Sequence, residues 1–126
     1  MAATILVVDD DESIRELLRM HLAAAGYEVH LAHDAIAAGY VVLRSPPDLI
    51  ICDVNMPHMD GFEFVAALKD DSTLPRIPVI FLTSDEKGDE RGKELGAVGY
   101  LNKPVRADRL LRVVAKHVPG GALPIG

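Results

Sequence analysis

The sequence predicts an α/β domain in which a parallel β-sheet is covered by helices on both faces. Three observations lead there. Short apolar runs alternate with amphipathic segments along the chain, Gly, Pro and Asp punctuate the changes, and 126 residues suit a single core. Apolar residues make up 49% and charged residues 25%, the balance of a globular domain large enough to stand without staples.

Thr4 to Val8 is a continuous apolar run, as expected of a strand buried on both faces. Three aspartates follow. Glu12 to Ala25 then places Ile14, Leu17, Leu18, Leu22 and Ala25 on one helical face, and Gly26 stands where a helix stops. Tyr27 to Ala32 reads as the second strand. Asp34 is the expected N-cap of a helix running to Arg44, which Ser45-Pro46-Pro47 breaks. Leu49 to Cys52, ending at Asp53, is the third strand, and Pro57 to Gly61 a loop. A helix from Phe62 to Lys69 turns Phe62, Val65, Ala66 and Leu68 inward. Pro75 and Pro78 bracket the entry to a fourth strand, Val79 to Leu82. A polar helical stretch leads to a short fifth strand, Gly99 to Leu101. The last helix, Ala107 to Val118, faces the core with Leu110, Leu111, Val113, Val114 and Val118. Residues 1–118 thus form the domain, and the Gly- and Pro-rich residues 119–126 read as a flexible tail or the stub of a linker.

Several function classes are excluded. A net charge of −6 argues against direct binding of duplex DNA, which needs concentrated Lys and Arg. Cys52 is the single cysteine, so no internal disulfide forms, and a reducing cytoplasmic setting fits. The first apolar run lacks a basic segment ahead of it, which speaks against a signal peptide. No apolar stretch approaches the roughly 20 residues that span a bilayer, so no membrane association is expected. The five histidines are scattered without metal-ligand spacing.

Strand–helix alternation implies right-handed crossovers, and in such sheets ligands bind outside the C-terminal strand ends. The groups expected to converge there are Asp9, Asp10 and Asp11; Asp53 and Asn55; Thr83 and Ser84; and Asn102 and Lys103. Clustered carboxylates repel unless a cation intervenes. A Mg²⁺ ion takes one or two carboxylates plus a carbonyl and keeps several waters, which Asp10, Asp53 and the main-chain carbonyl of Asn55 can supply. The competing reading, that the acidic run only favours a helix N-terminus, fits Asp11 best. Lys103, just before Pro104, can pair with Asp53 and neutralise an anionic oxygen. Thr83 offers a hydroxyl at its strand end, the small Ser84 leaves room beside it, and Tyr100 taken alone reads as an aromatic at the edge of the core.

These residues resemble a known family. Val7-Val8-Asp9-Asp10, Pro47-Asp48-Leu49-Ile50-Ile51-Cys52-Asp53 with Met56-Pro57 and Met59-Asp60-Gly61, Leu82-Thr83-Ser84, and Gly99-Tyr100-Leu101-Asn102-Lys103-Pro104 look like the receiver domains of two-component response regulators. The chain also resembles the single-domain chemotaxis-type receivers. The resemblance covers Ile5 to about Val118, and four motifs in order at domain-scale spacing are specific. It implies a flavodoxin-like, doubly wound (βα)5 fold with a five-stranded parallel sheet in the order 2-1-3-4-5.

By the same resemblance Asp53 is the phosphoacceptor, and Asp10, Asp53 and the Asn55 carbonyl hold Mg²⁺, or Mn²⁺ in its place, with Asp9 acting through water. Thr83, Ser84 and Lys103 bind the phosphoryl group, Thr83 and Tyr100 form the switch, and Asn55 and Asp85 tune dephosphorylation. The Lys103–Pro104 bond is expected to be cis. The implied phosphodonor is a sensor histidine kinase or a histidine phosphotransfer protein. The implied state is a monomer or a weak, phosphorylation-dependent dimer that signals through the surface of the fourth helix, fifth strand and fifth helix.

The sequence departs from the family between Asp85 and Leu95, which is shorter by about two residues, roughly half a helical turn. Gly88 and Gly92 weaken helix there by very roughly 1 kcal/mol each. That favours either a short, late-starting helix or a segment that orders on phosphorylation. Val105 stands where the family often has Phe. Three alternatives compete: an interaction module of the same fold that no longer depends on phosphorylation, an Asp-nucleophile phosphohydrolase, and a flavin or nucleotide binder. Asn55 cannot serve the second as a general acid, and the third lacks a Gly-rich loop after the first strand.

Overall fold

The structure is a computed structural model, and it describes residues 2–84 and 89–118. The elements follow in strict alternation: β1 (Thr4–Val8), α1 (Glu12–Ala24), β2 (Glu28–Ala32), α2 (Ala35–Arg44), β3 (Leu49–Asp53), α3 (Gly61–Asp70), β4 (Val79–Thr83), α4 (Asp89–Glu94), β5 (Gly99–Asn102) and α5 (Ala107–His117). The strands pair in parallel in the order β2-β1-β3-β4-β5, the doubly wound, flavodoxin-like arrangement that the sequence implied. Residues 85–88, which include Asp85 and Gly88, and the tail 119–126 lie outside the described residues.

Side-chain alternation splits the core in two. Along β1, Ile5 and Val7 join one cluster while Leu6 and Val8 join the other; in β3, Leu49 and Ile51 part from Ile50 and Cys52 in the same way. The first cluster is closed by Leu18 and Leu22 of α1 and Leu110 and Val114 of α5. The second is closed by Ala38 and Val42 of α2 and Phe64 and Val65 of α3. Strands β1, β3 and β4 are central and buried from both sides, so their sequences are almost wholly apolar up to the last residue.

Helix starts follow cap chemistry. Asp11 accepts from the backbone N–H groups of Ser13 and Ile14, and Asp34 from that of Ala37. Asp60 and Glu63 form a reciprocal capping box, which moves the start of α3 one residue ahead of the expected Phe62.

The packing corrects some expectations. Leu17 lies on the flank of the α1 stripe and is 41% exposed, because only Leu18 and Leu22 point straight at the sheet. In α3 Phe64 is buried where Phe62 was expected to lead; Phe62 is half-buried and meets Phe81 edge-on at 4.9 Å. Gly92 does not simply weaken α4. A Cβ at that position would overlap the Tyr100 hydroxyl, so the missing side chain makes room for the phenol.

Candidate functional site

Parallel register brings the strand ends into line. Val8 pairs with Cys52, Asp53 with Leu82, and Thr83 with Asn102, so the residues just beyond β1, β3, β4 and β5 emerge along one edge. Asp9 and Asp53 are buried there and Asp10 is exposed. One carboxylate oxygen from each of the three lies within 4.8 Å of the others. Lys103 reaches in from the end of β5, its Nζ 3.0 Å from Asp9 Oδ2 and 3.2 Å from Asp53 Oδ1. The Lys103–Pro104 bond is cis.

The two buried acids are each held by a backbone N–H. Asp9 Oδ1 accepts from the Asp11 N–H at 2.9 Å, and Asp53 Oδ1 from the Asn55 N–H at 3.3 Å. Asp9 Oδ2 is buried and, apart from Lys103, has no donor among the described residues. The Lys103 N–H donates to the Thr83 carbonyl at 3.0 Å, tying the β4 and β5 ends together. Thr83 is buried at the end of β4, Ser84 is exposed beside it, and Asn55 is exposed on the β3 side. Tyr100 is half-buried and stacked on Phe81, 6.3 Å between ring centroids, with its hydroxyl over Gly92.

The electrostatics follow from this crowding. Burial and then the charge of Asp9 push the Asp53 carboxyl up to about 6, against the pull of Lys103 and the Asn55 N–H. At neutral pH it is still mainly ionised and therefore nucleophilic. Burial works against the Lys103 ammonium, but contact with Asp9 and the charge of Asp53 outweigh it and hold its pKa above the usual lysine value. Three carboxylates facing one ammonium leave an excess of negative charge, which a divalent cation fits. The donor set is all oxygen and suits a hard ion such as Mg²⁺.

Two residues that shape the site carried no obvious signal in the sequence. Arg15, half-buried on α1, donates from Nη1 to the Asp9 carbonyl at 2.7 Å and fixes the turn that presents both Asp9 and Asp10. Gly61 opens α3 directly against the β3 end. Its N–H donates to the Val54 carbonyl at 2.8 Å, and a Cβ there would overlap the Asp53 carbonyl oxygen. Gly61 stood out only as the end of a loop motif, although a glycine at a first helical position is itself a sign of close backbone approach.

An acidic pocket with one lysine, at the C-terminal edge of a 2-1-3-4-5 sheet, defines a receiver. The sequence matches the family model described as the response regulator receiver domain over residues 5–115, and the chain belongs to that family. It is 42% identical over 113 residues to the response regulator MprA of Mycobacterium bovis, a match covering 88% of this chain and 48% of that protein. To the response regulator PleD of Caulobacter vibrioides it is 47% identical over 107 residues, covering 83% of this chain and 24% of that one. The chain therefore spans about half the length of the first of these relatives and about a quarter of the second. Among solved structures it is similar to the chemotaxis response regulator CheY4 of Vibrio cholerae, with a TM-score of 0.87 and 38% identity over 94% of this chain and 100% of that one. No helix among the described residues is long and apolar enough to cross a membrane.

Proposed function

We propose that this chain is a cytoplasmic phosphoacceptor that takes a phosphoryl group onto Asp53 from the phosphohistidine of a sensor histidine kinase or a histidine phosphotransfer protein. The observation that carries this reading is the buried Asp53 carboxylate within 3.2 Å of Lys103 Nζ and beside two further acids. A carboxylate oxygen of Asp53 attacks phosphorus, the P–N bond breaks, and the imidazole leaves with a proton, giving an acyl phosphate. The chemistry asks little of the protein beyond position and charge. Lys103 moves from balancing Asp53 and Asp9 to balancing a phosphoryl oxygen. Thr83 and Ser84 supply hydroxyls on the β4 side.

Asp10, Asp53 and the Asn55 carbonyl would hold Mg²⁺, or Mn²⁺, with Asp9 engaged through water. The ion supplies charge neutralisation at the phosphoryl oxygens. Asn55 and Asp85 sit in sequence two residues beyond Asp53 and Thr83, where they would orient the water that later hydrolyses the acyl phosphate.

The phosphoryl group adds about two negative charges and new acceptors. It draws on the Thr83 hydroxyl, and Tyr100, packed between Phe81 and Gly92, carries the change to the surface of α4, β5 and α5. No nucleic acid is bound by this chain itself; the output is a protein contact.

Incubation with acetyl phosphate, with and without Mg²⁺, read by intact mass, tests the assignment. One phosphate adduct that needs both Mg²⁺ and Asp53 is expected. Undiminished adduct on the Asp53→Ala protein refutes the site.

A further inference from the structure

We propose that this chain pairs with a second copy of itself through the outer face of α2, the two helices crossing antiparallel about a twofold axis near Gly39 and Tyr40. The groove on this face shares no residue with the acidic cluster, and the proposal stands whether or not Asp53 accepts phosphate.

The first observation is apolar exposure. Ile36, Tyr40 and Leu43 are 67%, 66% and 64% exposed. Their spacing of four and then three residues puts them on one stripe of α2. The stripe borders an open groove of about 490 Å³ between α2 and α3, whose apolar lining includes Phe64, Leu68 and Met59. Isolated exposed apolar residues need no explanation, but a stripe beside an apolar groove marks a contact surface.

The second observation is Gly39, in the middle of that stripe. Among the described glycines only Gly26 and Gly96 have positive φ, so the backbone at Gly39 does not require glycine. A Cβ there would meet nothing within 4 Å, so packing inside the monomer does not require it either. Glycine is a poor choice in a helix interior, and here the monomer gives nothing in return. A missing side chain on an exposed helix face lets another helix come close.

The third observation is charge, and it selects the second copy as occupant. Asp34 caps the start of α2 and Arg44 ends it. In an antiparallel pair, aligning Ile36 with the second copy's Leu43 places Gly39 opposite its Tyr40 and Arg44 beside its Asp34. A single register thus aligns the apolar stripe, the bare helix position and the opposite charges at the helix ends, with Asp34 already 3.3 Å from His33 Nε2 in its own chain. The helix dipoles also oppose each other favourably. The same patch serves on both copies, as a closed twofold interface demands.

Sedimentation equilibrium of the full chain, from about 10 μM to about 1 mM, spans the range of weak association. A reversible monomer–dimer equilibrium is expected for the unmodified chain. Leu43→Glu and Arg44→Glu should each weaken it at least tenfold, with unchanged far-UV circular dichroism, because both side chains are exposed. Gly39→Ala separates pairing from folding: it should raise the thermal midpoint while weakening the dimer. A protein that stays monomeric throughout overturns the proposal and leaves the groove to a different polypeptide. A dimer that Leu43→Glu and Gly39→Ala leave intact uses another face and overturns it equally.

Discussion

The pocket at the strand ends and the outer face of α2 break the usual sorting of residues in opposite directions. In the pocket, Asp9, Asp53 and Thr83 are buried; on α2, Ile36, Tyr40 and Leu43 stand two-thirds exposed. Buried polar groups and exposed apolar ones are the informative exceptions in a globular protein, because each costs folding free energy that something else must justify. The pocket is justified by chemistry within one molecule, since Lys103 and backbone N–H groups already meet the acids. On α2 the monomer offers no such compensation. The difference separates a site whose buried groups are met largely from within the chain from a surface whose apolar side chains the chain leaves largely uncovered.

The largest effect should come from disturbing the floor of the pocket. Gly61→Ala sets a methyl group against the Asp53 carbonyl oxygen, with the Asp53 carbonyl carbon and Val54 Cα at 3.1 Å, all of them backbone atoms that cannot rotate away. We expect a destabilisation of about 2–3 kcal/mol, the upper part of the overpacking range. Phosphorylation by acetyl phosphate should fall more than tenfold as Asp53 shifts, since small misplacements of a reacting group are costly. Urea melts and intact-mass kinetics on the same protein check both. Normal kinetics in a destabilised variant would mean that Gly61 serves packing alone.

Next comes the charge of Asp53. Its carboxyl titrates near 6 in the fold, above the usual aspartate value near 4, so the native state binds the proton more tightly than the unfolded chain. The contribution of this group to stability is therefore complete below about pH 4 and is lost as pH rises through 6. By pH 8 the loss amounts to up to about 3 kcal/mol at 1.36 kcal/mol per unit. Lys103 stays charged across this window, its pKa being raised. Asp53→Asn should recover most of that loss at pH 8 and little at pH 4, in metal-free denaturant melts. Added Mg²⁺ should stabilise the unmodified protein at pH 8 and the variant much less. Equal response of both to Mg²⁺ would remove Asp53 from the metal site.

How much of this could be read from the chain depended on which physical effect left a mark in local sequence. Apolar runs bounded by Gly, Pro and Asp located every described strand, and the caps Asp11 and Asp34 set two helix starts. The convergence of Asp9, Asp10, Asp53 and Lys103 followed from the rule for parallel sheets, because each closes a recognisable strand. Close approach between distant backbones leaves little local signal. Gly61 and Gly92 both make room for a residue of the pocket or its surroundings, yet the sequence marks one as a loop and the other as a helix defect. Arg15 acts through a side chain reaching back to a carbonyl six residues earlier, which apolar periodicity does not register. The exposure of Ile36, Tyr40 and Leu43 was equally hidden, since α2 is apolar almost throughout and no polar stripe marks its outward face.

A smaller effect is expected at Gly92. Alanine there should favour α4 by about 1 kcal/mol through helix propensity while pressing the Tyr100 ring out of its place over the helix. The two terms oppose, so the net change in stability should stay within about 1 kcal/mol. The ring itself should report the change: NMR contacts between Tyr100 and Phe81, stacked in the parent protein, should weaken. Unchanged contacts would show that the phenol tolerates a methyl group and that Gly92 has no bearing on its position.

The smallest and most discriminating effect is at Gly39. Its Cβ would enter open space, so Gly39→Ala brings only the propensity gain, about 0.5–1 kcal/mol in dilute solution. At high concentration the same methyl group stands between paired α2 helices, and the gain should shrink or reverse as the parent protein becomes stabilised by its own dimer. Melts of both proteins across a hundredfold range of concentration read this as two curves that converge or cross. Parallel curves would mean that Gly39 is a helix defect with no partner, and the contrast between the pocket and α2 would then be one between a used surface and an idle one.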